Sequence, residues 1–244
     1  MQQLSLEDHC LRQLVASVGT QAQLLANDTF AAIETLYSIT VMERPEQRTI
    51  GVCAVDGAYF SSPPRIVVAA AVSPRRRAFT ALHELAHHLI RHEWSLFGLA
   101  GYREIEERVC NRFAAEILAP QVLCDEVLGG ELPTATAFAD LYLRSAASRA
   151  VCARRIAERL PGIGHAVVAL GTVVTYCAGR GTPFQAEYGT EQGPSSIFGI
   201  AVREGAAHQT TRVIYREGFV SPEYQAEAIY SDGHVFAIFA DATA

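Results

Sequence analysis

The sequence predicts an α+β protein, with helices in the N-terminal and central parts of the chain and strands in the C-terminal part. Apolar residues recur at three-to-four spacing through the first ~40 residues and again after Ser73, which is the period of helices packed on a core. From His165 onward the pattern changes to short β-rich runs separated by glycine and proline. Segregation of helices and strands along the chain is typical of α+β proteins.

The N-terminal segment is predicted to begin with helix and to continue with strands. Leu11, Leu14 and Val18 start a helical pattern that resumes at Leu24 and continues to Leu36. Three extended segments are predicted after it: Tyr37–Met42, Thr49–Val55 and Arg65–Ala71.

Two long helices are predicted in the centre of the chain. Ser73 is predicted as an N-cap and Pro74 as the first helical position, and the helical pattern continues to about His92. A second helix is predicted over Arg103–Leu118, because Pro120 prevents its continuation.

The rest of the chain completes a predicted division into three parts. A helical stretch over Gln121–Leu160 is interrupted by glycine and proline near residue 130. The β-rich runs are His165–Cys177, Ser195–Arg203, His208–Arg216, Tyr224–Tyr230 and His234–Ala240. The turn residues Asp232 and Gly233 predict a hairpin between the last two. We therefore expect a first domain over residues 1–122, a helical region over 123–162 and a small β-rich domain over 163–244.

The composition excludes several classes of enzyme. All 20 basic residues are arginine, so the chain has no lysine for a Schiff base or for a Walker phosphate loop. The formal charge of -6 argues against non-specific nucleic-acid binding. Six scattered cysteines form no C-x-x-C pair, which excludes a zinc ribbon and a thioredoxin-type motif.

The apolar runs are too short for a membrane span. The longest uninterrupted run, Ile66–Val72, falls far short of the ~20 residues that a span requires. The N-terminal residues do not have the basic and apolar regions of a secretory signal. These features predict a cytoplasmic protein without a membrane partner.

An H-E-x-x-H motif in the first central helix carries the strongest chemical signal. His83 and His87 are four residues apart, so a helix presents both imidazoles to one metal ion. On a helical wheel both histidines lie at the edge of the apolar stripe, whereas Glu84 points away from it. The motif therefore predicts a metal at the rim of the core, facing a cleft.

The second central helix offers a third ligand. Zinc in catalytic sites usually takes three protein ligands and leaves one position for water. Glu107 and Asn111 lie at the edge of the apolar face of this helix, and Glu104 and Glu106 are nearby alternatives. Glu106 points further from the Asn111 face, which favours Glu107. Two imidazoles and one carboxylate suit several divalent ions, so the predicted cofactor is Zn²⁺ or another divalent metal such as Mn²⁺.

These residues imply a hydrolytic mechanism. A metal held by His83, His87 and Glu107 would lower the pKa of a bound water towards ~7 and polarise a carbonyl group. Glu84 would take the water's proton and pass it to the leaving amine. Asn111 is expected to hydrogen-bond a ligand histidine and so fix its tautomer. An oxyanion donor is also needed, and its candidates are Tyr102, Arg103 and His88.

The two helices resemble a known peptidase family. Arg75–His87 is similar to the R-x-R-F-T-x-A-H-E-x-G-H segment of the ImmA/IrrE metallopeptidases, with Ala86 where the family usually has glycine. Glu107–Pro120 is similar to the E-x-x-x-N-x-F-A-A-x-x-L-x-P helix of that family. The resemblance implies a zincin-like metallopeptidase domain. A weaker resemblance downstream implies a helix-turn-helix-like middle region and a GAF-like C-terminal domain.

Other charged groups have simpler expected roles. His88 and His92 are expected to be surface or supporting histidines, since three ligands suffice. Arg75–Arg77 are expected to pair with carboxylates of the chain, because cations oppose the dipole at a helix N-terminus, or, as the alternative, to recognise an acidic segment of a substrate. A basic helical face is expected to be solvated or, as the alternative, to recognise a substrate protein or contact DNA. Its members are Arg144, Arg149, Arg154, Arg155 and Arg159.

The resemblance implies a metal-dependent endopeptidase that cleaves a helix-turn-helix transcriptional repressor in a stress response of the DNA-damage type. The alternative is a transcription regulator or binding module that does not cleave proteins and whose metal site is structural. An intact Glu84 and the net charge of -6 favour the peptidase. Direct DNA binding is not expected.

Overall fold

Helices accompany two β-sheets in the computed structural model, which describes residues 5–45, 57–70, 72–92, 103–182, 188–212 and 220–241. This arrangement confirms the mixed α+β class. The chain divides into two compact units, Met1–Pro120 and Gln121–Ala244. Within the described ranges, every helix is too short or too polar to cross a membrane.

The helical segment at the N-terminus is divided into three α-helices, with a short 3₁₀ helix over Gly19–Gln21 between the first two. The elements of the first unit are α1 (Leu6–Val18), α2 (Ala22–Asn27), α3 (Thr29–Tyr37), β1 (Thr40–Arg44), β2 (Gly57–Ser61), β3 (Pro64–Ala69), α4 (Pro74–His92) and α5 (Arg103–Leu118). Gly19 has a φ of 45° and ends α1, and Ser38 has a φ of 55° and ends α3. The strand predicted from Tyr37 therefore begins at Thr40, because Tyr37 still belongs to the helix.

The sheet of the first unit has the order β1-β3-β2, with β2 at one edge. β3 runs parallel to β1 and antiparallel to β2, where Tyr59 lies opposite Ile66. Ile66 and Val68 of the central strand are buried, and α4 packs against β2 and β3. The strand predicted over Arg65–Ala71 is therefore present as β3, whereas the one predicted over Thr49–Val55 lies outside the described residues.

The two long helices begin and end at the predicted residues, and they pack against each other. Their apolar faces are fully buried at Leu82, Leu85, Leu89, Val109, Cys110, Phe113 and Ala114. α1 packs on α5, and Arg112 of α5 donates hydrogen bonds to Glu7 at 3.1 Å and to Asp8 at 2.9 Å. These contacts hold α1 against α5.

The second unit contains an antiparallel five-stranded sheet. Its elements are α6 (Gln121–Leu128), α7 (Ala135–Arg144), α8 (Arg149–Ala157), β4 (Gly164–Leu170), β5 (Val173–Arg180), α9 (Ile197–Glu204), β6 (Ala206–Thr211), β7 (Tyr224–Ser231) and β8 (His234–Asp241). The strand order is β5-β4-β8-β7-β6, and every pairing is antiparallel.

Helices cover both faces of this sheet. The ring of Phe138 in α7 lies 5.1 Å from that of Phe236 in β8. The ring of Phe198 in α9 lies 6.1 Å from that of Phe239, which follows Phe236 by three residues in β8 and so points to the opposite face of the strand. Since alternate residues of a strand point to opposite faces, α7 and α9 pack on different faces.

One predicted strand of the second unit is wrong. The run predicted as Ser195–Arg203 is the helix α9. The Ser196 hydroxyl accepts a hydrogen bond from the Gly199 N–H at 3.3 Å, and Gly205, with a φ of 87°, ends the helix. A serine N-cap and a terminal glycine therefore outweighed the β propensity of the apolar run.

The run predicted as His165–Cys177 is two strands, β4 and β5, because Gly171, with a φ of 59°, turns the chain between them. The last two strands agree with the sequence prediction. Asp232 and Gly233 both have positive φ, at 48° and 73°, and so form the predicted hairpin turn between β7 and β8. The strand predicted over His208–Arg216 begins at Ala206 and ends at Thr211, and residues 213–219 lie outside the described part of the chain.

Candidate metal centre

α4 carries two neighbouring rows of polar side chains. His83 and His87 form one row, which meets Glu106 and Glu107 of α5. Thr80, Glu84 and His88 form the other row, which meets β2. Each row repeats every four residues and therefore stays on one face of the helix.

His83, His87 and Glu107 bring three potential metal ligands together. The Nε2 atoms of the two histidines lie 3.1 Å apart. Oε2 of Glu107 lies 3.3 Å from Nε2 of His83, and Oε1 lies 3.6 Å from Nε2 of His87. A tetrahedral ion with bonds of about 2.0 Å places its ligand atoms about 3.3 Å apart. The three distances, two of which are to different oxygens of Glu107, lie within about 0.3 Å of that spacing, so these residues suit a divalent ion.

The electrostatic surroundings of His83 favour its metal-binding form. Burial, and next the neighbouring His87, lower the pKa of His83 below its ordinary value. Burial acts in this direction because the charged imidazolium loses its hydration. The neutral imidazole, which has a free lone pair, is therefore favoured.

Glu106 supports His87 from the side opposite to the ligand cluster. Its Oε1 atom lies 2.7 Å from Nδ1 of His87, while Nε2 of the same ring faces Glu107. A carboxylate on the second nitrogen selects the tautomer whose Nε2 is free to bind a metal. From the sequence, Glu106 was considered only as an alternative ligand to Glu107. Its position directly before Glu107 on α5 was the one signal that it lies close to the two histidines.

Asn111 lies next to His83 rather than His87. Its side chain is close enough to the His83 imidazole to stabilise the charged form of that ring. Nδ1 of His83 is nevertheless buried and makes no hydrogen bond within the described part of the chain. The two histidines are therefore held unequally, because only His87 has a short contact to a carboxylate on its Nδ1 atom.

Glu84 is buried beside this cluster, with only 6% of its surface exposed. Burial raises the pKa of its carboxyl group, while a hydrogen bond from the Tyr59 backbone N–H acts in the opposite direction. The sequence places Glu84 off the apolar stripe of α4, and the structure buries it there because β2 covers that side of the helix.

A glycine permits this close approach of β2. A Cβ atom on Gly57 would overlap Cγ2 of Thr80 and would lie 3.6 Å from Cγ of Glu84. The absence of a side chain at this position lets the strand approach α4 closely enough to contact the carboxylate.

The remaining predicted residues lie in different surroundings. His88 contacts the Tyr59 hydroxyl through Nδ1 at 2.7 Å, Arg103 is exposed at the start of α5, and Tyr102 lies outside the described residues. Tyr59 was not singled out from the sequence, since a single tyrosine in a short strand carries no pattern of its own.

Comparison with known proteins finds a family that shares this segment. Residues 37–146, which include all three potential ligands and Glu84, match the peptidase M78 family model described as the IrrE N-terminal-like domain. Over this segment the chain is similar to the ImmA/IrrE family. The matched segment runs from the end of α3 to just beyond α7.

Two similar proteins carry the name radiation response metalloprotease IrrE. The protein from Deinococcus deserti is 33% identical over 168 residues, which cover 66% of this chain and 57% of the relative. The protein from Deinococcus radiodurans is 26% identical over 175 residues, which cover 68% of this chain and 51% of the relative. The chain thus spans little more than half the length of these relatives.

A solved structure resembles the fold of the whole chain. It is a Mycobacterium tuberculosis transcriptional regulator, with a TM-score of 0.54 and 13% sequence identity. The match covers 98% of this chain and 88% of the other.

Proposed function

We propose that this protein is a metal-dependent endopeptidase of the zincin type. Its site consists of His83, His87 and Glu107 as metal ligands and Glu84 as the catalytic residue, with Asn111 in support. The observation that carries the proposal is that Nε2 of His83 and Nε2 of His87 lie 3.1 Å apart, each within 3.6 Å of a Glu107 carboxylate oxygen and beside the buried carboxylate of Glu84. A structural zinc site would use a fourth protein ligand and would not require that carboxylate.

The donor set suits Zn²⁺ and also suits Mn²⁺. When bound, the ion supplies the Lewis acidity that lowers the pKa of a water molecule and polarises the scissile carbonyl. Glu107 contributes negative charge, and Glu106 keeps the His87 ring in the required orientation.

Glu84 is the group that moves the proton. It accepts a proton from the attacking water and delivers it to the amine of the departing peptide. Its raised pKa makes the carboxylate a stronger base for the first step, and the protonated carboxyl group is still acidic enough to pass the proton to an amine in the second. The Tyr59 N–H holds one side of the carboxylate in place and leaves the proton transfer to the other side.

The substrate class follows from the family. The named relatives are radiation response metalloproteases, which supports a role in a stress response of the DNA-damage type. We propose a helix-turn-helix transcriptional repressor as the protein substrate and the cytoplasm as the place of cleavage. We further propose that α6 to α8 form the helix-turn-helix-like region and that the sheet of the second unit is GAF-like. Its antiparallel strands with helices on both faces support the latter proposal.

The basic helical face gives little support to the alternative of a DNA-binding regulator. Four of its arginines lie within 4 Å of carboxylates in the second unit, in the pairs Arg144–Glu126, Arg149–Asp232, Arg155–Glu158 and Arg159–Asp125. Arg154 donates a hydrogen bond to the Tyr176 hydroxyl at 2.6 Å. Arginines that already pair with carboxylates are less available to the phosphate groups of DNA. The pairing therefore favours an intramolecular role for this basic helical face over DNA binding.

A comparison of cleavage products tests the proposed function. The protein and its Glu84→Gln variant are loaded with Zn²⁺ or Mn²⁺ and incubated with native extract of the source organism, and new protein N-termini are then identified. We expect a new terminus within a helix-turn-helix repressor with the parent protein, and none with Glu84→Gln or after chelation. The variant Glu104→Gln, which carries the same change at an exposed position of α5, should cleave like the parent.

Two outcomes would contradict the proposal. Cleavage by Glu84→Gln at the rate of the parent would show that Glu84 is not the catalytic base. An absence of metal-dependent cleavage with both metals would favour a protein that does not act as a peptidase.

A further inference from the structure

A second group of potential metal ligands lies on the face of α4 that meets β2. Nδ1 of His88 lies 2.7 Å from Oη of Tyr59, and Nε2 of His92 lies 3.1 Å from the same oxygen. The two imidazole rings are 4.6 Å apart between centroids. Two imidazole nitrogens therefore lie within 3.1 Å of one phenol oxygen.

This group is separate from the His83, His87 and Glu107 cluster. It shares no residue with that cluster, and it belongs to the other row of α4 side chains. Its oxygen comes from β2, whereas the carboxylate of the first cluster comes from α5. A ligand bound here would therefore meet a different pair of elements.

The chemistry of the group suits a transition metal. Histidines at i and i+4 of a helix present their nitrogens to one ion, and imidazole suits zinc, copper and nickel. Ligand atoms on a tetrahedral ion lie about 3.3 Å apart, and the two contacts to Tyr59 Oη lie 0.6 Å or less below that spacing. To complete the spacing, the Tyr59 oxygen would have to move about 0.6 Å away from half-buried His88 and about 0.2 Å away from exposed His92.

We propose that Tyr59, His88 and His92 form a second binding site for a divalent transition metal ion. Water or a substrate group would complete the coordination of the ion, as expected at a site with three protein ligands. Ions that prefer oxygen ligands, such as Mg²⁺ and Ca²⁺, would not bind here, because two of the three donors are nitrogens. The site does not depend on the proposed peptidase activity.

Metal stoichiometry tests the proposal. The full chain without an affinity tag is dialysed to equilibrium against Zn²⁺ over a range of concentrations, and the bound metal is measured per protein. We expect two equivalents for the parent and one for His92→Ala. His83→Ala, which lacks a ligand of the first cluster, should retain the equivalent held by Tyr59, His88 and His92. The double variant should bind none at the concentrations that fill the parent.

Two further variants separate metal binding from structural damage. Tyr59→Phe keeps the aromatic ring and removes only the ligand oxygen, so it should weaken the second equivalent by about tenfold or more. His9→Ala removes an exposed helical histidine elsewhere and should bind two equivalents like the parent.

Two results would overturn the proposal. His92→Ala would bind as many equivalents as the parent with unchanged affinity, or Tyr59→Phe would bind all of its equivalents as tightly as the parent. In the last case the hydroxyl would serve only as a hydrogen-bond partner of the two histidines.

Discussion

Replacement of Glu106 by alanine should weaken metal binding even though Glu106 is not one of the three proposed ligands. The substitution removes the carboxylate that lies 2.7 Å from Nδ1 of His87 and leaves the three ligand atoms in place. The His87 ring then loses the partner that sets its tautomer and orientation. Loss of such a partner typically costs tenfold to a hundredfold in metal affinity, or about 1.4 to 2.7 kcal/mol.

Competition with a chromophoric chelator for Zn²⁺ measures this change. The experiment is best made in the His92→Ala background, so that only the His83, His87 and Glu107 cluster contributes. Glu106→Gln retains an oxygen acceptor without the charge and should lie between the parent and Glu106→Ala. Glu107→Gln should lower affinity more than either change, because it alters a ligand.

Glu104→Ala is the matched control for this prediction. Glu104 lies two residues earlier on the same helix and is exposed, so its loss should leave metal affinity unchanged. Circular dichroism and the melting temperature of the metal-free proteins show whether each variant keeps its fold. Equal Zn²⁺ affinity of Glu106→Ala and Glu104→Ala, with the fold intact, would refute the assigned role of Glu106.

Three further predictions concern stability. Burial lowers the pKa of the His165 imidazole to about 4, whereas the same group in an unfolded chain takes up its proton near pH 6.5. The free energy of unfolding should therefore fall as the pH drops from 6.5 to 4, and the loss should be about 2 kcal/mol at pH 5. Urea unfolding at pH 8 and pH 5 should show this loss in the parent and not in His165→Gln, and identical losses would contradict it. Gly57→Ala should lower the melting temperature, because the new Cβ atom would overlap Cγ2 of Thr80. The second change Thr80→Ala should restore part of the melting temperature. A double variant that melts no higher than Gly57→Ala would show that the strain arises elsewhere. Phe236→Ala should destabilise the second unit by about 3 to 5 kcal/mol, because the Phe236 ring is fully buried. Tyr230→Ala, at an exposed position, should change the urea unfolding curve little. Similar losses of stability in the two variants would argue against a core around Phe236.

Local sequence signals predicted the long helices of the site well. Pro74 at the first helical position and Pro120 after the end of α5 act on their own neighbours, so their effects do not depend on the rest of the fold. The same locality explains the hairpin at Asp232 and Gly233. The apolar run in α9 was misassigned because β propensity and helical spacing are hard to separate over eight residues.

By itself, the sequence determined which side chains could act. The spacing of His83 and His87 and the position of Glu107 on a second helix follow from helical periodicity, which is a property of neighbouring residues. Only the tertiary structure decided that Glu106 supports His87, that β2 buries Glu84, and that Tyr59 meets His88 and His92. These contacts join residues 19 to 33 positions apart or depend on the packing of a sheet edge against a helix. Their geometry is set by how whole elements pack, and no local pattern in the chain records it.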